Sequence, residues 1–168
     1  MSICYIGLGS NLNAPDQQLR DAKLALENLP NSQLQAVSSM YRSPAMTLPD
    51  SPPQPDYFNA VIQLQTTLLP YQLLASLHTI EQAQGRQRNQ RWAARSLDLD
   101  ILLYDDLELS DARLVLPHPG IAQRNFVLYP LHEIAPQLVL PRLGKVDDLL
   151  AALVAENAQA KLQPVGAF

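Results

Sequence analysis

Apolar residues in this chain recur first with strand-like alternation and then with helix-like spacing, and this order of periods is the strongest limit on its fold. Residues 2–8 alternate as a strand that ends at the turn Gly9-Ser10-Asn11. Residues 16–28 carry Leu19, Ala22, Leu26 and Leu29 at helical spacing, with Pro15 suited to the first turn. Residues 33–42 read as a strand with Tyr41 near its end, and 57–67 as a second, stronger one. A helix over 70–84 is opened by Pro70 and closed by Gly85, with Leu73, Leu74, Leu77 and Ile80 on one face. Residues 96–104 return to strand, and Asp105-Asp106 turns into a short partner strand at 107–110. A segment at 114–117 leads into Pro117-His118-Pro119-Gly120. Helices follow at 124–134, stopped before Pro136, and at about 147–157, where Asp147 is expected to cap the first turn. The order β-α-β-β-α-β followed by extra elements predicts an α+β, ferredoxin-like antiparallel sheet. Many chemistries use that fold, so function has to come from particular residues.

Two stretches interrupt this order. Pro44, Pro49, Pro52, Pro53 and Pro55 leave no room for a strand or helix over 43–56. The second stretch, 85–95, is polar and rich in arginine. Long loops in a compact domain are usually functional, and both are expected to close over bound ligands. At 168 residues the chain fits one domain, and 47% apolar with only 17% charged residues argues for a packed core and against disorder. A net charge of −4 and a pI near 5.2 argue against a nucleic-acid partner. One cysteine, Cys4, excludes an internal disulfide and a paired-cysteine metal site, and reads as a buried strand thiol. No signal-like segment and no apolar run of about 18 residues are visible, so a cytoplasmic chain without a membrane partner is expected.

The sharpest chemical signal is Ser96-Leu97-Asp98-Leu99-Asp100-Ile101. On a strand, Leu97, Leu99 and Ile101 share the core face, and Asp98 and Asp100 share the other, with Cα atoms roughly 6–7 Å apart. A solvated strand face would also look like this. Two carboxylates so placed repel each other, and a hard cation such as Mg²⁺ relieves that repulsion. Just upstream, Arg86, Arg88, Arg91 and Arg95 gather four of the nine arginines into ten residues, with Trp92 among them and no lysine. A basic loop can serve nucleic acid, but arginine's forked donors beside an aspartate pair favour a polyphosphate with metal. His118 and Arg124 are further candidates for phosphate contact, although a lone histidine is more often structural. Tyr57 and Asn59 alternate onto one strand face, where an amide and a ring suit a flat heterocycle. Strand aromatics also commonly serve the core.

Taken together these residues resemble the 6-hydroxymethyl-7,8-dihydropterin pyrophosphokinases along nearly the whole chain. The matching stretches are Tyr5 to Leu12, Val37 to Pro44, Asp56 to Ala60, Ile80-Glu81, Gln84-Gly85-Arg86, Arg91 to Ile101, Leu116 to Pro119 and Arg124 to Leu131. The resemblance implies one domain over 1–168, a ferredoxin-like αβα sandwich, and transfer of pyrophosphate from ATP with AMP leaving. It implies that Asp98 and Asp100 hold two Mg²⁺ ions. Arg86, Arg95, His118 and Arg124 are then expected on the triphosphate, with Arg86 and Arg95 catalytic and with Arg88, Arg91 and Trp92 around it. Glu81 and Ile101 are expected at the nucleoside, and the pterin between Tyr57 and Phe126, bonded by Asn59 and by backbone near Ser43, Pro44 and Met46. A stand-alone monomer is expected. Ala93-Ala94 stands where members often carry Gly-Pro, and His78 where a glutamine is usual. Two rival classes remain open at this point: an RNA-binding module using the arginine loop, and a ligand-binding protein without catalysis.

Overall fold

A computed structural model describes residues 1–45, 49–85 and 97–168. The elements run β1 (Ser2–Ser10), α1 (Pro15–Glu27), β2 (Ser32–Val37), β3 (Met40–Ser43), β4 (Tyr57–Thr66), α2 (Pro70–Ala83) and β5 (Asp98–Tyr104). They continue with β6 (Leu109–Ser110), β7 (Val115–Leu116), α3 (Asn125–Ile134), β8 (Val139–Leu140), β9 (Gly144–Lys145), α4 (Val146–Glu156) and β10 (Pro164–Gly166). The main sheet has the order β10-β3-β4-β1-β5, with β2 also on β4, and every pair is antiparallel. This is the α+β, ferredoxin-like arrangement that the order of periods predicts.

Alternation along the strands builds two cores, one on each face of the sheet. Cys4, Ile6 and Leu8 of β1, with Ile62 and Leu64 of β4, pack against Leu19, Ala22 and Leu26 of α1 and Leu73 and Leu77 of α2. On the other face Tyr5, Val61 and Leu103 meet Val127 and Leu131 of α3 and Val146 of α4. Burying each of these leucines stabilises the fold by about 2 kcal/mol relative to leaving it in water. The helices open as the sequence suggests: Pro15 and Pro70 stand at the starts of α1 and α2, and the Gln72 side-chain oxygen accepts the Leu69 N–H at 2.8 Å.

The structure departs from the sequence expectations in five places. Strand β1 continues through Gly9 to Ser10, where a turn is expected, because both residues stay paired with β4. The strand expected over 33–42 is two strands, because Ser38 inserts its side chain into the ladder. Its Oγ accepts the Val61 N–H at 2.9 Å, while its own N–H donates to the Val61 carbonyl at 3.0 Å. Residues 107–110 do not pair with β5. Asp105, at φ 48°, turns the chain away, and its side chain accepts the Ile3 N–H at 2.8 Å. Leu109 and Ser110 pair instead with Leu116 and Val115. Asp147 does not cap α4, because the β8–β9 hairpin runs directly into Val146 and puts the cap position at Lys145. The Asp147 carboxylate meets His132 Nε2 at 2.8 Å. Finally, β10 in the tail adds to the outer edge of β3, which no periodicity announces.

Leu77 is fully buried between α2 and the sheet. Leu77→Ala is expected to cost about 2–5 kcal/mol, by lost transfer energy plus the cavity left behind. Chemical denaturation checks this, and a loss below 1 kcal/mol would contradict the core described.

Candidate active site

The site begins with two missing side chains. On the α3 face of β1 the positions after Tyr5 are Gly7 and Gly9, so the sheet has no side chains there and a hollow remains. A Cβ on Gly9 would lie 3.5 Å from Asn59 Oδ1 and 3.6 Å from Tyr57 Cδ1, and one on Gly7 would lie 3.3 Å from Leu102 Cδ2. The hollow opens into a cavity of about 230 Å³.

Strand register decides what surrounds it. Asp98 pairs with Gly9 and Asp100 with Gly7 on one side, and Asn59 pairs with Gly9 on the other. Asn59, Gly9 and Asp98 therefore form one row across three strands, with Asn59 and Asp98 about 10 Å apart by two strand spacings. Asp98 and Asp100 both line the cavity, and the Asp100 side chain is 44% exposed. Asn59 is buried, and its Nδ2 donates to Ser43 Oγ at 2.8 Å.

The segment after β7 supplies the far wall. The His118 N–H donates to the Leu102 carbonyl at 3.0 Å, which ties this loop to β5. His118 Nδ1 accepts the Gly120 N–H at 3.1 Å, so the ring proton lies on Nε2, which stands 4.0 Å from Asp100 Oδ2. Burial pushes the imidazole below its ordinary pKa, Arg124 pushes it further down, and Asp98 opposes both. The Arg124 side chain lies over Gly120, where a Cβ would meet Nε at 2.5 Å, and its guanidinium stands 5.9 Å from the Phe126 ring centre. A glycine at 120 thus leaves the space that Arg124 occupies.

The structure brings Ser43, Pro44, Tyr57, Asn59, Asp98, Asp100, His118, Arg124 and Phe126 to this one cavity. Glu81 and Ile101 do not line it. Glu81 is fully buried, and its carboxylate accepts the N–H of Leu99, between the two aspartates, at 2.8 Å. Ile101 belongs to the core on the opposite face of β5. Met46, Arg86, Arg88, Arg91, Trp92 and Arg95 lie outside the described residues, as do 86–95 of the second loop expected to close and 46–48 of the first. Sequence reasoning missed Gly7 and Gly9 as site residues. Their i, i+2 spacing is the available signal, because it marks a strand face without side chains once the strand is carried past 8 through Gly9.

The carboxylate pair suits a hard cation. Among the described residues no group of three or more His, Cys, Asp or Glu could hold a metal ion. Two half-exposed oxygen donors are what Mg²⁺ commonly takes from a protein, since it keeps waters and phosphate oxygens for its other positions. No helix among the described residues is long and apolar enough to cross a membrane.

Comparison with known proteins gives the following. A family model described as 7,8-dihydro-6-hydroxymethylpterin-pyrophosphokinase matches residues 5–136. A Haemophilus influenzae protein named 2-amino-4-hydroxy-6-hydroxymethyldihydropteridine pyrophosphokinase is 44% identical over 164 residues, covering 98% of this chain and 100% of its own. A Pseudomonas aeruginosa protein of the same name is 44% identical over 155 residues, covering 92% and 94%. A Plasmodium falciparum HPPK-DHPS structure with pteroate superposes with a TM-score of 0.75 at 12% identity. A further HPPK-DHPS structure in complex with substrates gives 0.74 at 12% identity. This chain covers 44% of the latter and 43% of the former, so it spans less than half of those longer chains. At that identity the likeness shows the fold.

A histidine held below its ordinary pKa has a defined pH signature. In metal-free protein the His118 ring signals in NMR are expected to titrate with a midpoint below 6.5, and Arg124→Gln is expected to move it upward. The unfolded chain takes up this proton first as pH falls. The group therefore adds stability above the ordinary histidine range and loses it as pH drops through that range. A midpoint at or above 6.5 would contradict the assigned environment.

Proposed function

This chain belongs to the 7,8-dihydro-6-hydroxymethylpterin-pyrophosphokinase family, and on that premise we propose that it transfers the pyrophosphoryl group of ATP to 6-hydroxymethyl-7,8-dihydropterin, releasing AMP. It is an enzyme of that family, whose curated relatives bear the pyrophosphokinase name over nearly its full length. The observation that carries the reading for this chain is one cavity with a buried amide at one end and a carboxylate pair at the other, joined by a floor of glycines.

The pterin ring lies on the Gly7–Gly9 floor. Asn59 reads its amide edge, with help from backbone at Ser43, Pro44 and Met46, and Tyr57 and Phe126 flank its faces. Its hydroxymethyl arm then reaches toward β5, where Asp98 and Asp100 would hold two Mg²⁺ ions. Bound there, the ions supply Lewis acidity toward the phosphate oxygens. His118 offers Nε2–H to a phosphate oxygen. It does not act as the base, because Nε2 carries the proton and Nδ1 already accepts the Gly120 N–H. The Arg124 guanidinium offers further donors across the same cavity. Arg86 and Arg95 are assigned to the charge on the transferring and leaving groups, and Arg88, Arg91 and Trp92 to the surrounding triphosphate. Glu81 and Ile101 serve the nucleotide from behind. Glu81 holds Leu99 and so the strand that carries both aspartates, and Ile101 anchors that strand in the core.

Pyrophosphoryl transfer depends on positioning and charge stabilisation, and a cavity that sets a carboxylate pair opposite His118 and Arg124 suits both. The reading takes 1–168 as one domain working as a monomer in the cytoplasm, without nucleic acid or a membrane partner.

Two measurements test it. Incubation with ATP, Mg²⁺ and 6-hydroxymethyl-7,8-dihydropterin is expected to yield AMP; ADP as co-product, or no reaction, would overturn the proposal. Asp98→Ala and Asp100→Ala are each expected to lower turnover by about 10³-fold, the scale of removing an aimed electrostatic group. The melting temperature of the ligand-free protein is expected to hold or rise, since like charges are separated. Near-normal activity in either variant would remove the metal assignment.

A further inference from the structure

Resting on the pterin-binding reading, we propose that the Ser43 hydroxyl is a positioning residue that fixes the Asn59 amide, so that the cavity is shown a hydrogen-bond acceptor and selects ligands with an N–H donor at that edge. Ser43 ends β3 and Asn59 lies near the start of β4, where Tyr41 pairs with Asn59 and Ser43 with Tyr57. Both side chains are buried, Ser43 at 3% and Asn59 at 5% exposure. The Asn59 Nδ2 donates to Ser43 Oγ at 2.8 Å and to the Tyr41 carbonyl at 3.4 Å. A carbonyl can only accept, so the nitrogen is the atom turned toward Tyr41. A flipped amide would set two acceptors against each other there. With the nitrogen turned inward, both of its N–H groups are used by β3.

What remains of the amide is Oδ1. It stands 3.5 Å from the Cβ position of Gly9, on the floor of the cavity. The cavity therefore meets a carbonyl oxygen at that end, and the ligand has to supply the proton. A heterocycle whose edge carries an amide N–H or an exocyclic amine satisfies this. A ring with only acceptors along that edge leaves Oδ1 desolvated and unpaired, a penalty that discriminates strongly in a buried site. Of the two groups that hold the amide, Ser43 makes the shorter bond. Without its hydroxyl, one buried N–H has no partner and only the longer contact to Tyr41 opposes rotation.

The experiment combines steady-state kinetics with side-chain amide exchange, using 6-hydroxymethyl-7,8-dihydropterin as the probe. Ser43→Ala is expected to raise KM for the pterin about tenfold, the scale of one buried hydrogen bond. Turnover at saturation is expected to stay within about twofold, since the bond is made in ground and transition states alike. Ser43→Thr keeps the hydroxyl and is expected to restore KM. In ¹⁵N NMR of the ligand-free protein, the Asn59 side-chain NH₂ pair is expected to be protected in the wild type and in Ser43→Thr, and unprotected in Ser43→Ala. A Ser43→Ala enzyme with unchanged KM, or with the NH₂ pair still protected, would overturn the proposal. Should Ser43→Ala not fold, Ser43→Cys decides: a thiol accepts weakly, so partial loss of protection supports the lock and full protection overturns it. The exchange measurement needs no ligand. A wild-type chain that fails to turn over the pterin would thus remove the function reading, while the amide lock would still be decided.

Discussion

The alternation of side chains along three neighbouring strands governs both stability and site. Strands β1, β4 and β5 send Ile6, Leu8, Ile62, Leu64, Leu99 and Ile101 to the face covered by α1 and α2. On the other face the same strands carry Gly7, Gly9, Asn59, Asp98 and Asp100 at their ends near the cavity. A slip of one residue in any pairing would turn the carboxylates into the core and the leucines into the cavity. The apolar face therefore enforces the geometry of the polar one. The cost of burying a carboxylate is what holds the aspartates outward, as much as any contact they make.

Strand β5 is an edge of the main sheet, which leaves its outer backbone groups without a strand partner. Glu81 covers one of them by accepting the Leu99 N–H, and the Tyr104 hydroxyl donates to the Leu68 carbonyl at 2.7 Å nearby. Covered edges resist pairing with other chains, and here the cover also fixes the strand that carries Asp98 and Asp100. Across the cavity the electrostatic balance is different. His118 is kept neutral beside Arg124, so this wall holds one permanent positive charge and one neutral donor. Such a wall suits a phosphate whose charge a metal already offsets from the other side.

Much of this was legible in the residues. Spacing located β1, α1, β4, α2, β5 and α3 to within a few residues, because each has a strong period and all but β5, which ends at Asp105-Asp106, have a proline or glycine near a boundary. The shared face of Asp98 and Asp100 followed from the strand period. The break at Ser38 was not legible, because it depends on a side-chain oxygen taking the place of a backbone acceptor on a strand more than twenty residues away. Nor was the placement of Leu109–Ser110 on β7, which depends on Asp105 and on Asp111, whose Oδ1 accepts the N–H groups of Arg113 and Leu114 at 2.7 and 2.9 Å. The orientation of Asn59 needed the carbonyl of Tyr41 on another strand. Glu81 follows Leu73 and Leu77 at four-residue steps, so helix spacing puts it on the buried face; what the sequence could not show is the partner that lets a carboxylate stay there, the Leu99 N–H.

The proposed function needs Asp98 and Asp100 to ligate metal together beside a heterocycle lying on Gly7 and Gly9. It is tested most directly by a crystal structure of the chain with Mn²⁺, a non-hydrolysable ATP analogue and 6-hydroxymethylpterin. Anomalous density is expected with both carboxylates at about 2.0–2.2 Å, the range for a small hard divalent cation, and with the ring stacked over the two glycines. Metal density bound only by phosphates and water, with both carboxylates turned away, would contradict it.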